Sequence, residues 1–304
     1  MAFVSVSEML AAAQESGHTL PRVILESDCT ESGITEAKSR EKMHALWQVM
    51  QSTSAAYEPG RRSASGLTGG EAARVAEAAR QGLLFGGEYL AAVTAEALKT
   101  AECNACMQRI VAAPTAGSCG VLPAVLLPLA RAGKADEEAC CDALYVAAGF
   151  GQVIAARATL AGAEGGCQAE VGAASAMAAA ALCHLGGGAP AQCSHAAAMA
   201  LAGLLGLVCD PVAGLVEVPC VKRNVTGAVN AVAAANMAIA GVTFAIPCDE
   251  VIDAMGRIGG QLPSDLRETA RGGLADTPTG REIAEKLAET QPTAKETLKD
   301  NTCG

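Results

Sequence analysis

The chain has 304 residues, 51% hydrophobic and 18% charged, which is enough to bury a large core and excludes a disordered chain. Its 22 basic and 32 acidic residues give a net charge of −10, which argues against nucleic acid and anionic membrane surfaces as partners. Aromatic residues make up only 3%, whereas alanine and glycine are abundant, so we predict an all-α fold of closely packed helices.

The pattern along the chain predicts one helical domain over residues 1–290, followed by a polar tail over residues 291–304. Residues 1–80 are mixed and charged, with a helical pattern at Glu41–Met50 and a loop-like run at Tyr57–Gly70. We therefore expect the first 80 residues to form a peripheral layer of helices and a loop.

The predicted core covers residues 81–290 and begins within a helical pattern that runs from Glu71 to Arg109. This pattern stops at Ala113–Gly120, a stretch of glycine, proline and hydroxyl residues that we expect to form a buried polar loop. Alanine-rich patterns at Val171–Leu185 and His195–Val208 have almost no polar face, so both are predicted to be helices in the middle of the domain.

Glu170 and Asp210 are the only charged residues between positions 165 and 216. Charged side chains are rarely buried without a partner, so we expect these two to bind backbone amides or a cationic substrate. Glu170 is also a candidate proton carrier.

Two uncharged stretches approach the length of a membrane span. Val111–Ala130 contains three prolines, and Ala228–Pro247 contains Asn230 and Asn236, so we expect buried core helices rather than spans. The start of the sequence lacks the basic, apolar and small-residue regions of a secretory signal. We therefore expect a cytoplasmic protein with reduced thiols and no membrane partner.

The chain contains 13 cysteines, and three of them, Cys167, Cys209 and Cys220, lie beside glycine or proline at predicted helix ends. Three thiolates from separate segments of an apolar, reduced interior fit an iron–sulfur cluster, and three ligands would leave one iron open. The alternative is that all three are small buried hydrophobic residues, which is how we interpret most other cysteines, including the C-x-x-C pair Cys103 and Cys106.

Several special residues recur in a fixed order: Ser-Gly-Leu-Thr-Gly-Gly at 65–70, Ala-Pro-Thr-Ala-Gly-Ser at 113–118, Gly-Gly-Cys-Gln-Ala-Glu-Val-Gly at 165–172, Cys-Asp-Pro-Val-Ala-Gly-Leu-Val-Glu-Val-Pro-Cys at 209–220, Lys-Arg-Asn at 222–224 and Ile-Pro-Cys-Asp-Glu-Val-Ile at 246–252. With these motifs the chain resembles the α subunit of iron–sulfur-dependent L-serine dehydratase over essentially its whole length. The block at 209–224 is the most specific part of this resemblance.

The resemblance implies a [4Fe-4S] cluster on Cys167, Cys209 and Cys220 and the deamination of L-serine to pyruvate and ammonia. An open iron can act as a Lewis acid on the serine β-hydroxyl, so pyridoxal phosphate is not needed, although Lys222 leaves a Schiff-base alternative open. In some members of the family a penultimate cysteine ligates the open iron when substrate is absent, which makes Cys303 a candidate reversible fourth ligand.

The general base is not assigned, because none of the four histidines falls in a motif typical of catalysis. In the family a β domain contributes a Ser-Ser-His-Thr motif near the active site, and that motif is absent from this sequence. We therefore expect a separate β subunit as partner, in a heterodimer or larger assembly.

Hydroxyls and backbone N–H groups of glycine-rich loops can bind the substrate carboxylate, and cations near the last thiol can add charge. The candidate substrate-binding residues are Ser65, Thr68, Gly69, Thr115, Gly117, Ser118, Lys222, Arg223 and Asn224. The alternative is that the glycines only turn the chain, the hydroxyls only cap helices and the cations lie at the surface.

Two other functions are compatible with a cluster. An L-cysteine desulfidase would expel sulfide by the same β-elimination chemistry. A non-catalytic electron-transfer or sensing module would be expected to carry four cysteine ligands or a basic DNA-binding face, and the sequence indicates neither.

Overall fold

The computed structural model describes residues 3–290, which form 13 α-helices and no β-strand. The helices are α1 (Val6–Ser16), α2 (Leu20–Ser32), α3 (Glu36–Ala55), α4 (Glu71–Arg80), α5 (Gly87–Ala105), α6 (Val121–Arg131), α7 (Glu137–Arg157), α8 (Gly162–Gly165), α9 (Ala173–Leu185), α10 (Pro190–Ala202), α11 (Cys220–Ile239), α12 (Cys248–Gln261) and α13 (Pro278–Thr290). The predicted all-α fold is confirmed. The predicted tail, residues 291–304, lies outside the described residues.

Helix α9 forms the centre of the core and packs against α7, α10 and α11. Its residues from Ala173 to Cys183 are all buried, and most are alanines, whose small side chains let neighbouring helices approach closely. The alanine-rich pattern at 171–185 therefore predicts this helix correctly.

The second alanine-rich helix begins and ends earlier than predicted. The pattern predicts His195–Val208, but α10 runs from Pro190 to Ala202 and the chain then turns. Pro190 fits the first turn of a helix because its fixed φ suits that position and its missing N–H needs no partner there. The predicted bounds of this helix are wrong by five residues at the start and six at the end.

One helix of the described residues, α7, is long and apolar enough to cross a membrane. Inside this fold, 67% of its apolar window is buried. It packs against α9, α2 and α3, which accounts for its composition as that of a core helix.

The outer layer consists of α1–α3, followed by a loop at 56–70 and the packed pair α4 and α5. The predicted continuous helical pattern from Glu71 to Arg109 is wrong, because α4 ends at Arg80 and α5 starts at Gly87. Gly82 and Gly86 have φ values of 70° and 90°, a left-handed conformation that interrupts a helix and that glycine adopts without strain.

Glu102 holds both ends of the 56–70 loop. This buried carboxylate accepts hydrogen bonds from the backbone N–H groups of Glu71 (2.8 Å) and Ala72 (2.9 Å) at the start of α4. Its other oxygen accepts the Tyr57 hydroxyl at 2.6 Å. Because Gly70 at the N-cap has no side chain, Glu102 supplies the capping acceptor that the helix needs.

We expect Glu102→Ala to lower the free energy of unfolding by about 3 kcal/mol, because it leaves two backbone donors and the half-buried Tyr57 hydroxyl without their acceptor. Urea denaturation of the purified chain measures the change. Glu88→Ala, at an exposed position of the same helix, is the control and should change the free energy by less than about 0.5 kcal/mol. A Glu102→Ala variant as stable as this control would contradict the capping role.

Candidate functional site

The fold buries the three predicted thiols in one region. Cys167 lies between α8 and a π-helical turn at Gln168–Gly172, Cys209 follows α10, and Cys220 is the first residue of α11. Burial raises the pKa of Cys167 to about 11 and that of Cys220 to about 12. Burial also raises the pKa of Cys209, and the nearby Cys167, Glu170, Glu268 and Cys220 raise it further. The three thiols therefore lie within electrostatic range of one another.

Cys167 is positioned by the residues on either side of it. Gly166 has φ +73°, and a Cβ there would lie 2.6 Å from Leu262, so glycine is required. The buried Gln168 side chain donates to the Met255 carbonyl at 3.0 Å and accepts the Gly206 N–H at 2.8 Å. These bonds tie the Cys167 turn to α12 and to the segment that leads to Cys209.

Cys209 is held by backbone bonds to the segment after α12. Its N–H donates to the Leu266 carbonyl at 2.9 Å, and its carbonyl accepts the Glu268 N–H at 2.7 Å. The next residue, Asp210, is buried and accepts the Leu274 N–H at 2.8 Å. Asp210 thus has the backbone amide partner that a buried carboxylate needs.

Arg223 is a cation that lies close to the thiols. Its Nη1 atom donates to the Val208 carbonyl at 2.8 Å and forms an ion pair with Asp210 at 2.8 Å. Its side chain is only 14% exposed. Although burial raises the pKa of Cys167 and of Cys220, the nearby guanidinium lowers both. Arg223 therefore belongs to the thiol centre, where its charge stabilises thiolates.

Glu170 connects the thiol centre to the 113–120 loop. Its Oε1 accepts the Thr115 hydroxyl at 2.7 Å, and its Oε2 lies 3.9 Å from the Cys209 sulfur, which donates to it. Burial raises the pKa of Glu170. Gly117 and Gly162 leave room for the carboxyl group, because a Cβ at either position would lie within 3 Å of it.

Asn224 anchors the same loop to the first turn of α11. Its Oδ1 accepts the Gly120 N–H at 2.8 Å, and its Nδ2 donates to the carbonyls of Gly117 (2.8 Å) and Cys220 (3.0 Å). At the start of the loop, the hydroxyls of Thr115 and Ser118 lie 3.1 Å apart. The structure therefore brings the predicted residues of this loop next to Cys220.

The other predicted loop meets the site through a residue that the sequence reasoning missed. The hydroxyls of Ser63 and Ser65 donate to Oε2 of Glu217, at 2.6 and 2.8 Å. Thr68 is buried in the same loop. The sequence feature that could have identified Glu217 is its position, because it is a charged residue inside the apolar block between Cys209 and Cys220.

Lys222 lies apart from the thiols. Its side chain is 49% exposed and forms an ion pair with Glu71 of α4 at 2.5 Å. Gly69 packs against the backbone of Arg61 and Arg62. Both residues therefore support the loop and α4 rather than the thiol centre.

The remaining described cysteines are free, and all except the half-buried Cys29 are buried: Cys103, Cys106, Cys119, Cys140, Cys141, Cys183, Cys193 and Cys248. Cys103, in the C-x-x-C pair at the end of α5, donates weakly to the Thr53 carbonyl at 3.8 Å. This agrees with a packing role. Cys303 lies outside the described residues, and its assignment as a fourth ligand stays a prediction.

Cys167, Cys209 and Cys220 are the residues of this region that could hold a soft metal group. Within residues 3–290, no three His, Cys, Asp or Glu side chains are close enough together to hold one metal ion. Three buried sulfurs beside a guanidinium provide soft donors and a balancing charge.

The fold and site define a helical protein with a buried three-thiol centre. Residues 4–275 match the family model described as serine dehydratase alpha chain, so the chain belongs to that family.

Curated relatives agree with this assignment. The probable L-serine dehydratase alpha chain of Bacillus subtilis (strain 168) is 44% identical over 94% of this chain and 95% of its own length. The L-serine dehydratase alpha chain of Peptoniphilus asaccharolyticus is 43% identical over 91% of this chain and 95% of its own. L-serine dehydratase 1 of Escherichia coli (strain K12) is 36% identical over 90% of this chain but only 61% of its own length.

Proposed function

We propose that this chain is a lyase that deaminates L-serine to pyruvate and ammonia by β-elimination of water, and that Cys167, Cys209 and Cys220 hold a [4Fe-4S] cluster. The observation that carries the proposal is the burial of three thiols from separate segments beside Arg223, in a chain of the serine dehydratase alpha chain family. When bound through three thiolates, the cluster supplies an open iron that acts as a Lewis acid on the β-hydroxyl.

The residues around the thiols would bind the two charged groups of serine. Ser118 offers a hydroxyl donor for the carboxylate, together with backbone N–H groups of the same loop, whereas the Thr115 hydroxyl proton is already donated to Glu170. Glu170 already accepts the Thr115 hydroxyl and is buried next to it, so its carboxylate could hold the substrate ammonium. We assign Arg223 to the thiol centre because its guanidinium is already paired with Asp210.

We further propose that catalysis needs a separate β subunit. The two alpha-chain relatives are matched over 95% of their length, whereas the E. coli relative, whose name mentions no alpha chain, is matched over 61%. A separate partner protein would take the place of the unmatched part of that longer relative. That partner would supply the general base, which we assign to no residue of this chain.

The test is to reconstitute the chain anaerobically with iron and sulfide, with and without a coexpressed partner, and to measure pyruvate released from L-serine and from L-cysteine. We expect release from serine and only when the partner is present. Full serine activity without a partner would refute the two-chain proposal, and release from cysteine alone would refute the serine assignment.

Gly162→Ala should weaken iron binding at the thiol centre. A Cβ at this position would lie 2.7 Å from Oε2 of Glu170 and 3.2 Å from the sulfur of Cys209, so one of the two must move. We expect iron loss to a chelator to become roughly tenfold faster, the size of effect typical when groups next to metal ligands are disturbed. Gly260→Ala is the matched control because no atom lies within 4 Å of its Cβ position. Equal rates for the two variants would contradict the prediction.

A further inference from the structure

Glu217 is a buried carboxylate in the segment that carries two of the three thiols. It lies three residues before Cys220, and only 6% of the residue is exposed. Among the described residues, the partners of its carboxylate are serine hydroxyls rather than a cation. Burying a carboxylate without a cation is costly unless hydrogen bonds replace its hydration. Here the two serine hydroxyls at 2.6 and 2.8 Å provide those bonds.

Both serine hydroxyls also shape their own loop. The Ser63 hydroxyl accepts the Thr68 N–H at 3.3 Å, and the Ser65 hydroxyl accepts the Leu67 N–H at 3.1 Å. A backbone bond from the Ser63 N–H to the Thr68 carbonyl, at 2.9 Å, closes the turn. Because each hydroxyl donates to Glu217 while it accepts from the loop, the carboxylate fixes the orientation of both.

The backbone of Glu217 is joined to the thiol centre. Its carbonyl accepts the Val221 N–H at 3.0 Å, a bond in the first turn of α11, which begins at Cys220. One residue thus contacts the 63–68 loop through its side chain and the start of α11 through its backbone. A shift of either element would be passed directly to the other.

We propose that Glu217 is a positioning residue that sets the 63–68 loop in register with Cys209 and Cys220. The loop then presents the buried Thr68 hydroxyl, which has no hydrogen-bond partner within the described residues, to substrate at a constant distance from the thiol centre. The statement about substrate rests on the proposed function, whereas the statement about loop order does not.

Two measurements on the full chain test this proposal. The first is the rate of trypsin cleavage after Arg61 and Arg62, two exposed residues next to the loop, followed by mass spectrometry. The second is the KM and kcat for L-serine of the reconstituted enzyme with its partner, together with its iron content. If the wild type releases no pyruvate, the proposed function fails, but the cleavage rates still decide the positioning role.

We expect Glu217→Ala to raise the cleavage rate and the KM about tenfold each, because it removes two charge-assisted hydrogen bonds. Its kcat and iron content should stay within about threefold of the wild-type values. Glu217→Gln retains the size and an acceptor and should restore both to within about threefold of the wild type. Glu88→Ala, at an exposed position, is the control. Unchanged cleavage in Glu217→Ala, or Glu217→Gln as impaired as Ala, would overturn the proposal.

Ser65→Ala provides a second route if Glu217→Ala does not fold. It removes one of the two hydrogen bonds from the loop side and should raise the cleavage rate about threefold. Combined with Glu217→Gln, its effect should be less than additive because both changes act on one contact. Full additivity would overturn the proposal.

Discussion

Replacement of Cys167, Cys209 or Cys220 with serine is expected to abolish iron binding and to lower serine dehydratase activity more than about 100-fold. A serine hydroxyl is a hard donor that stays protonated, so it cannot replace a thiolate toward iron. All three residues are buried, and serine is of similar size, so the fold should remain. Iron content after anaerobic reconstitution, activity and the circular dichroism spectrum measure the three expectations.

Cys106→Ser is the matched control for this series. Cys106 and Cys220 are both 8% exposed, but Cys106 lies in the C-x-x-C pair, which we assign to packing. The control should bind iron as the wild type does. A Cys209→Ser variant that still binds iron and is active would contradict the assignment of the ligands. Iron loss in Cys106→Ser equal to that of the three ligand variants would contradict it as well.

Asn224→Leu should destabilise the protein by about 3 kcal/mol and abolish activity. The substitution keeps the volume but removes three hydrogen bonds, two of which join the 113–120 loop to the start of α11. The buried Gly120 N–H and the half-buried Gly117 carbonyl would then lack partners, and a fully buried group left so costs about 1–3 kcal/mol. Thermal unfolding should show a midpoint lower by roughly 5 °C.

Asn236→Leu is the control for this prediction, because Asn236 lies at an exposed position of the same helix. Asn224→Asp distinguishes the contributions of these hydrogen bonds. It retains the acceptor for the Gly120 N–H and loses the donor to the two carbonyls. We expect an intermediate loss of stability. Asn224→Leu with the stability of the control would show that the loop is held in another way.

The fold class could be predicted because it follows from composition. Few aromatic residues and long alanine-rich runs leave helices as the efficient way to pack, and the nearly charge-free stretch around Ala173–Leu185 is the buried centre. Helix ends were harder to predict. They depend on single residues such as Pro190 and Gly86, whose effect is local and does not change the average pattern.

Adjacent residues of one motif separate in the structure because they lie on a helix. Lys222, Arg223 and Asn224 follow one another on α11, where each residue is rotated by about 100° from the last. Lys222 therefore meets α4, Arg223 meets the Cys209 segment, and Asn224 meets the 113–120 loop. A sequence motif alone could not assign three different partners.

The residues that sequence reasoning missed are buried polar groups with distant partners. Glu217 meets the serine hydroxyls more than 150 positions away, and Gln168 meets Met255 87 positions away. No local sequence pattern indicates such pairs, because they form only when both polar groups are buried and need hydrogen-bond partners. The thiols could be found because their chemistry, rather than their contacts, marks them.

The most direct test of the account is an iron and sulfide count with an absorption spectrum on the anaerobically reconstituted chain, before and after addition of L-serine. We expect about four irons and four sulfides per chain, as a [4Fe-4S] cluster requires, and a spectral change on adding L-serine but not D-serine. A chain that takes up no iron, or a cluster whose spectrum is the same with and without L-serine, would contradict it.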